Sequence, residues 1–219
     1  MLRDKTRTAR RLETPRLDIN YGVGRRIQLK FEIPWVGLLA EDQTREHGAG
    51  YGTVGVKWRF IGQEGDTIAW SVYPQLDFTV TDSTLAKGIE DHPREFTLPT
   101  ELTVEFFHLE VNAEVGRTFA GDGRGSWLFG LSSEGHVVPR LELLAEIHGD
   151  KMTSESTALI AVGGGRFKLT TTTFVLLAAG HSVRSVPEGP RSYAYAGLQF
   201  NLPRPFVFDA EARRRPRPR

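Results

Sequence analysis

The chain has 219 residues, 39% of them hydrophobic and 25% charged, with a formal net charge of +1. That length suits one domain or one barrel, and the near-neutral charge argues against a general nucleic-acid binder. There is no cysteine, which excludes disulfide frameworks, thiolate metal sites and cysteine nucleophiles.

No segment reaches the ~18–20 unbroken apolar residues of a spanning helix. The opening, MLRDKTRTARRLETP, is basic and polar with no apolar stretch behind it, so it does not read as a secretory signal. Residues 1–15 are expected to be a polar segment left by truncation of a longer upstream region.

From residue 17 the pattern becomes period-two alternation, the mark of strands with one apolar face. Leu17, Ile19, Tyr21 and Val23 alternate with Asp18, Asn20 and Gly22. After Gly24-Arg25-Arg26, a second run sets Ile27, Leu29, Phe31, Ile33 and Trp35 against Gln28, Lys30 and Glu32. A third sets Val54, Val56, Trp58 and Phe60 against Thr53, Gly55, Lys57 and Arg59. The next carries Ile68, Trp70, Val72, Leu76, Phe78 and Val80 opposite Ser71, Gln75, Asp77 and Thr79. Two further runs, joined at Phe107-His108, place Phe96, Leu98, Leu102, Val104, Leu109, Val111 and Val115 against Glu95, Glu101, Glu105, Glu110, Asn112 and Glu114. Later runs are noisier. Trp127, Phe129 and Leu131 oppose Ser126, Gly130 and Ser132, and Leu141, Leu143, Ala145 and Ile147 oppose Glu142, Glu146 and His148, with Leu144 out of phase. Residues 158–167 and 173–183 are apolar on both parities, and their faces stay unassigned. The last run alternates Ala196, Leu198, Phe200 and Leu202 with Tyr195, Gly197, Gln199 and Asn201.

These runs make about eleven strands with no helix between them. Charges avoid the middle of the apolar parity, as lipid demands. Connections near 24–26, 62–66 and 107–108 are short, whereas those at 38–50, 81–93, 119–125, 150–156 and 185–191 are longer. Short periplasmic turns and longer outer loops give that rhythm. The reading is an antiparallel up-and-down transmembrane β-barrel over 16–203, followed by a basic Pro/Arg-rich tail at 204–219 that is expected to be disordered. An even-stranded barrel starts and ends in the periplasm. One more strand and a signal peptide are therefore expected upstream of Met1, for about twelve strands in all.

On this reading the polar parity lines a lumen. Its selectivity candidates are Asp18, Lys30, Glu32, Lys57, Arg59, Asp77, Glu101, Glu105, Glu110, Glu114, Glu142 and Glu146, with Glu95 and Glu134 on the same parity. An excess of carboxylates favours cations in a narrow pore. The competing reading is a structural network that plugs the centre, with Lys30 and Glu32 pairing with Lys57 and Arg59. Tyr21, Trp35, Trp58, Trp70 and Trp127 read as aromatics of the membrane interface, against core filling in a soluble fold. No metal site, cofactor or enzyme is expected. His148 stands near Glu146 and Glu142, yet no motif selects Ser132 or Ser133 as a nucleophile. Gly163-Gly164-Gly165 lacks the following helix of a phosphate loop and reads as the start of a tight turn.

The stretch from Tyr21 to Leu29 (YGVGRRIQL), followed by Glu32-Ile33-Pro34, resembles an early hairpin of the outer-membrane transporters associated with the meta-cleavage pathway of phenol degradation. Gly50 to Phe60 (GYGTVGVKWRF) is similar to that family's next strand, and Asn112–Gly116 and Leu143–Gly149 add weaker matches. The resemblance implies a bacterial outer-membrane barrel that moves small, hydrophobic or aromatic molecules. Its partners would be membrane lipid and lipopolysaccharide, the cargo and the barrel-assembly machinery. The chain departs from the family in lacking a signal and in ending its last strand at Leu202 rather than at an aromatic residue. The expected function is a passive channel; the rivals are a non-conducting envelope barrel and a soluble all-β ligand-binding protein.

Overall fold

The computed structural model describes residues 2–5, 9–40, 44–63, 65–91, 93–120, 125–152, 157–184 and 191–202. Tail residues 204–219 lie outside them. The strands are β1 (Leu2–Lys5), β2 (Ala9–Val23), β3 (Ile27–Ala40), β4 (Arg45–Ala49), β5 (Tyr51–Ile61), β6 (Ile68–Val72) and β7 (Gln75–Thr79), then β8 (Arg94–Phe106), β9 (Leu109–Ala120) and β10 (Gly125–Val138). They finish with β11 (Leu141–Met152), β12 (Ala158–Lys168), β13 (Thr173–Arg184) and β14 (Ser192–Phe200). One helical turn, α1 (Ser83–Ala86), interrupts the series.

Among the described residues all fourteen strands form one antiparallel sheet, and β1 pairs with both β2 and β14, so the sheet closes on itself. β4 and β5 both pair with β3 and share one place in the wall. β6 and β7 likewise share the place between β5 and β8. The ring thus has twelve staves. The first break falls at Gly50, where an added Cβ would come within 2.9 Å of Pro34 Cγ and 2.8 Å of Val36 Cγ2. The second falls at Tyr73-Pro74, where proline has no N–H to give the ladder.

The stave that closes the ring is Leu2–Lys5, inside the chain rather than upstream of Met1. Strand pairing also takes in Ala9–Glu13 and resumes at Arg16, so the described part of residues 1–15 does not stand apart from the barrel. Two further expectations need correction. Residues 38–40 and 45–49 extend a paired hairpin rather than forming a long loop. Gly163-Gly164-Gly165 lies in mid-strand, opposite Ala145, Leu144 and Leu143. Glycine triplets suggest turns, but here both neighbouring strands supply the ladder bonds that hold the triplet extended.

The apolar parity faces outward. Phe31, Trp58 and Leu102 are 38%, 50% and 39% exposed, while Glu32 on the opposite parity is 6% exposed. A soluble calyx requires the reverse, because its apolar side chains must leave water. Inside the mouth, residues 80–91 fold inward over β3–β5. Ile89 and Thr84 are buried there, Ile89 Cδ1 lies where a side chain on Gly48 would stand, and Thr84 Oγ1 donates to Ala49 O at 2.9 Å.

Candidate functional site

Directly opposed residues of an antiparallel pair share a face, so the register maps the lumen wall. On β2 a register shift between Glu13 and Arg16 brings an odd and an even position to the same side, as a bulge does. Arg11, Glu13 and Arg16 therefore converge inside. Arg11 Nε donates to Glu13 Oε1 at 2.9 Å and Nη2 to Glu90 Oε1 at 2.5 Å. Arg16 Nη1 reaches Glu13 Oε2 at 3.0 Å, and its other terminal nitrogen pairs with Glu32. Lys30 Nζ completes the series at 3.1 Å from Glu32 Oε2.

The result is a ladder of alternating charge, Glu90–Arg11–Glu13–Arg16–Glu32–Lys30, running from the inward loop down the β2–β3 wall. Burial raises the Glu90 carboxyl above the ordinary glutamate range; hydrogen bonding and charge from Arg11, with the Tyr51 N–H, pull it partly back. Arg11 Nη1 also donates to Ile89 O at 2.7 Å, which ties the loop to the wall.

The sequence-derived site residues divide into groups. Lys30 and Glu32 pair with each other, and Glu32 also with Arg16, not with Lys57 and Arg59 as expected. The register explains this, since Lys57 stands opposite Gln28 and Lys30 opposite Gly55. Lys57 Nζ instead reaches past β6 to Glu101 Oε1 at 2.6 Å. Arg59 joins Arg25 and Arg26 around a basic hollow at the short-turn rim. Asp18 accepts from Asn20 Nδ2 at 2.8 Å, and Asp77 accepts from Thr53 Oγ1.

The glutamate hairpin is assembled as the alternation implies, with Glu101 opposite Glu114 and Glu105 opposite Glu110. Glu142 is held by Arg166 Nη2 at 2.6 Å, and Glu146 lies 2.8 Å from His148 Nδ1. Gly130 and Ile160 flank His148 in register, so neither directly opposed residue is a serine. Tyr21, Trp35, Trp58, Trp70 and Trp127 all point outward and are about half exposed. Tyr21, Trp58 and Trp70 sit toward the short-turn rim; Trp35 and Trp127 sit toward the other.

The stretches whose parity was ambiguous now have faces. Val162 opposes Glu146, Ile160 opposes His148 and Leu176 opposes Arg166. These apolar side chains, with Leu144, Ala178, Tyr193 and Tyr195, turn inward on β11–β14. The lumen therefore has an ion-paired wall on β2–β3, a carboxylate-rich wall on β8–β11 and an apolar wall on β12–β14.

Solved structures share this architecture. The NanC porin matches at TM-score 0.68 and 9% identity, covering 92% of this chain and 97% of its own. An outer-membrane channel from Pseudomonas putida F1 matches at 0.66 and 10%, covering 90% and 91%. The KdgM porin in complex with disordered oligogalacturonate matches at 0.61 and 10%, covering 92% and 99%. The fold is that of outer-membrane porins. No protein-family profile and no curated protein sequence matches the chain. At such identities the likeness to porins fixes the barrel architecture and leaves the contents of the lumen to this chain's own residues.

Sequence reasoning missed Arg11, Glu13, Arg16 and Glu90. Arg11 and Glu13 lie in the stretch set aside as polar and Arg16 just beyond it, and the register shift between Glu13 and Arg16 hides their common face. Glu90 lies in a connection, where alternation carries no information. The alternating charge of Arg11-Leu12-Glu13 was the available signal.

Proposed function

We propose that the chain is a passive channel of the bacterial outer membrane for small molecules. One observation carries this reading: a closed ring whose apolar side chains face out and whose charged side chains face in. Hydrocarbon tails suit the outer surface, since a Lys or Arg there costs about 2–4 kcal/mol at mid-depth, and water suits the inner one. On this reading the five outward aromatics lie at the two membrane interfaces, in contact with lipid and lipopolysaccharide, and insertion uses the barrel-assembly machinery. The apolar wall on β12–β14 supports small hydrophobic or aromatic cargo, as the meta-pathway resemblance implies. The oligogalacturonate named with one KdgM structure is not carried over, because a wall of carboxylates repels an acidic chain.

The test is conductance of the purified barrel in planar lipid bilayers, with discrete open steps expected. The ion ladder and the loop inside the mouth favour a second reading, a plugged envelope scaffold. A folded barrel that never passes ions supports the scaffold and ends the channel proposal. Recovery of the protein in the aqueous phase without detergent would end both.

A further inference from the structure

Glu105 stands opposite Glu110, and Glu110 stands opposite Glu134. Three carboxylates thus lie abreast on β8, β9 and β10. Like charges set directly opposite are destabilising, so a purely structural network would supply counter-ions. Among the described residues, no Lys, Arg or His forms an ion pair with any of the three; Glu110 accepts only from Asn112 Nδ2, at 3.0 Å. Of the bases nearby, Lys57, Arg166 and His136 face other carboxylates, His136 at 3.8 Å from Glu142, while His108 lies at the rim. Lys57 is bonded to Glu101, and Arg166 is held by Glu142 at 2.6 Å while its guanidinium sits 5.1 Å from the Phe174 ring.

The same level of the ring continues in register through different chemistry. Glu134 opposes Leu144, which opposes Gly164, then Ala178, then Tyr195. A hollow lined by Glu134, Leu144, Leu176, Ala178 and Tyr195, with the Glu142–Arg166 ion pair on its wall, joins the two chemistries. A second hollow, at the short-turn rim, is lined by Glu105, Glu110, Glu134 and Glu142, with Phe107, His108 and His136 beside them. Carboxylates next to apolar and aromatic surface suit one class of solute. The charged head of an alkyl- or arylammonium ion meets the glutamates, and its body lies on Leu144, Leu176 and the Tyr195 ring.

We propose that the pore is cation-selective, that Glu105, Glu110 and Glu134 set the selectivity, and that its cargo is an organic cation with an apolar body. This rests on the channel reading above. A lumen field of a few kT enriches counter-ions about tenfold, so the reversal potential under a tenfold KCl gradient is expected to show a cation preference of that order. The combined Glu105→Gln, Glu110→Gln and Glu134→Gln variant removes like-charge repulsion, so it is expected to fold and conduct, with permeability ratios near one. In proteoliposomes, benzylammonium is expected to enter about tenfold faster than benzoate, and the triple variant should abolish that difference.

Each outcome decides. A conducting wild-type barrel that is unselective or prefers chloride overturns the proposal, as does a triple variant that keeps full selectivity. Cation preference for potassium without faster benzylammonium entry overturns the organic-cation part. A folded barrel with no conductance overturns the channel reading and this one with it.

Discussion

Phe31 and Gln28 lie three residues apart on β3 and so point to opposite sides of the wall. On the reading proposed above, Phe31→Lys puts a charge among lipid tails and is expected to cost about 2–4 kcal/mol. Gln28→Lys enters the lumen wall opposite Lys57 and should stay within about 1 kcal/mol. Urea unfolding in lipid vesicles measures both; equal costs would mean that the two faces are not differently solvated. Arg11 is the most connected side chain of the ladder, bridging Glu13 and Glu90. Arg11→Met leaves both carboxylates without that partner, and removing one member of a buried pair costs on the order of 3–5 kcal/mol. The same titration reads the loss.

Arg11 also fastens a whole connection. Through Ile89 O and Glu90 it holds the inward loop that carries α1, and Lys87 Nζ adds a bond to His47 O at 2.9 Å. Arg11→Met is expected to speed tryptic cleavage after Lys87 severalfold by raising the population of the open loop. Unchanged cleavage would show that Thr84 and Ile89 suffice to hold it. On the carboxylate wall, Glu142→Gln releases Arg166 beside Glu134. It is expected to lower cation preference, though less than loss of all three row glutamates. The seam is a third such case. Deleting residues 2–5 removes both ladders of β1 and is expected to abolish the heat-modifiable folded band.

The strands were legible where one side of the wall is apolar and the other polar. From Leu17 to Val115 the alternation gives strand, face and the Glu101–Glu114 hairpin directly. It failed where physics erased the contrast. Ile160 and Leu176 line the lumen although their outward neighbours are also apolar, so β12 and β13 carry no period. β1 is too short and polar to show one, and the bulge before Arg16 shifts the phase of β2. The ion ladder was illegible for a related reason, since its members come from a loop and from both sides of a phase break.

Taken together, the molecule has a formal charge of only +1, yet distributes it unevenly. Bases cluster at the short-turn rim around Arg25, Arg26 and Arg59, while the β8–β11 wall is acidic. Such a field acts over about 10 Å in 0.1 M salt and only about 3 Å in 1 M. Cation preference is therefore expected to fade as the bathing salt rises over that range, with conductance intact. Selectivity that survives 1 M salt would place its origin in close contact rather than in the field.

The pairing of Leu2 with Tyr195 makes the first and last strands immediate neighbours. A ring of staves joined this way has no preferred starting point. An added linker between the ends, with a new opening cut between β11 and β12, is expected to give a circular permutant that rebuilds the same wall. That permutant would present fused reporter domains on the opposite rim.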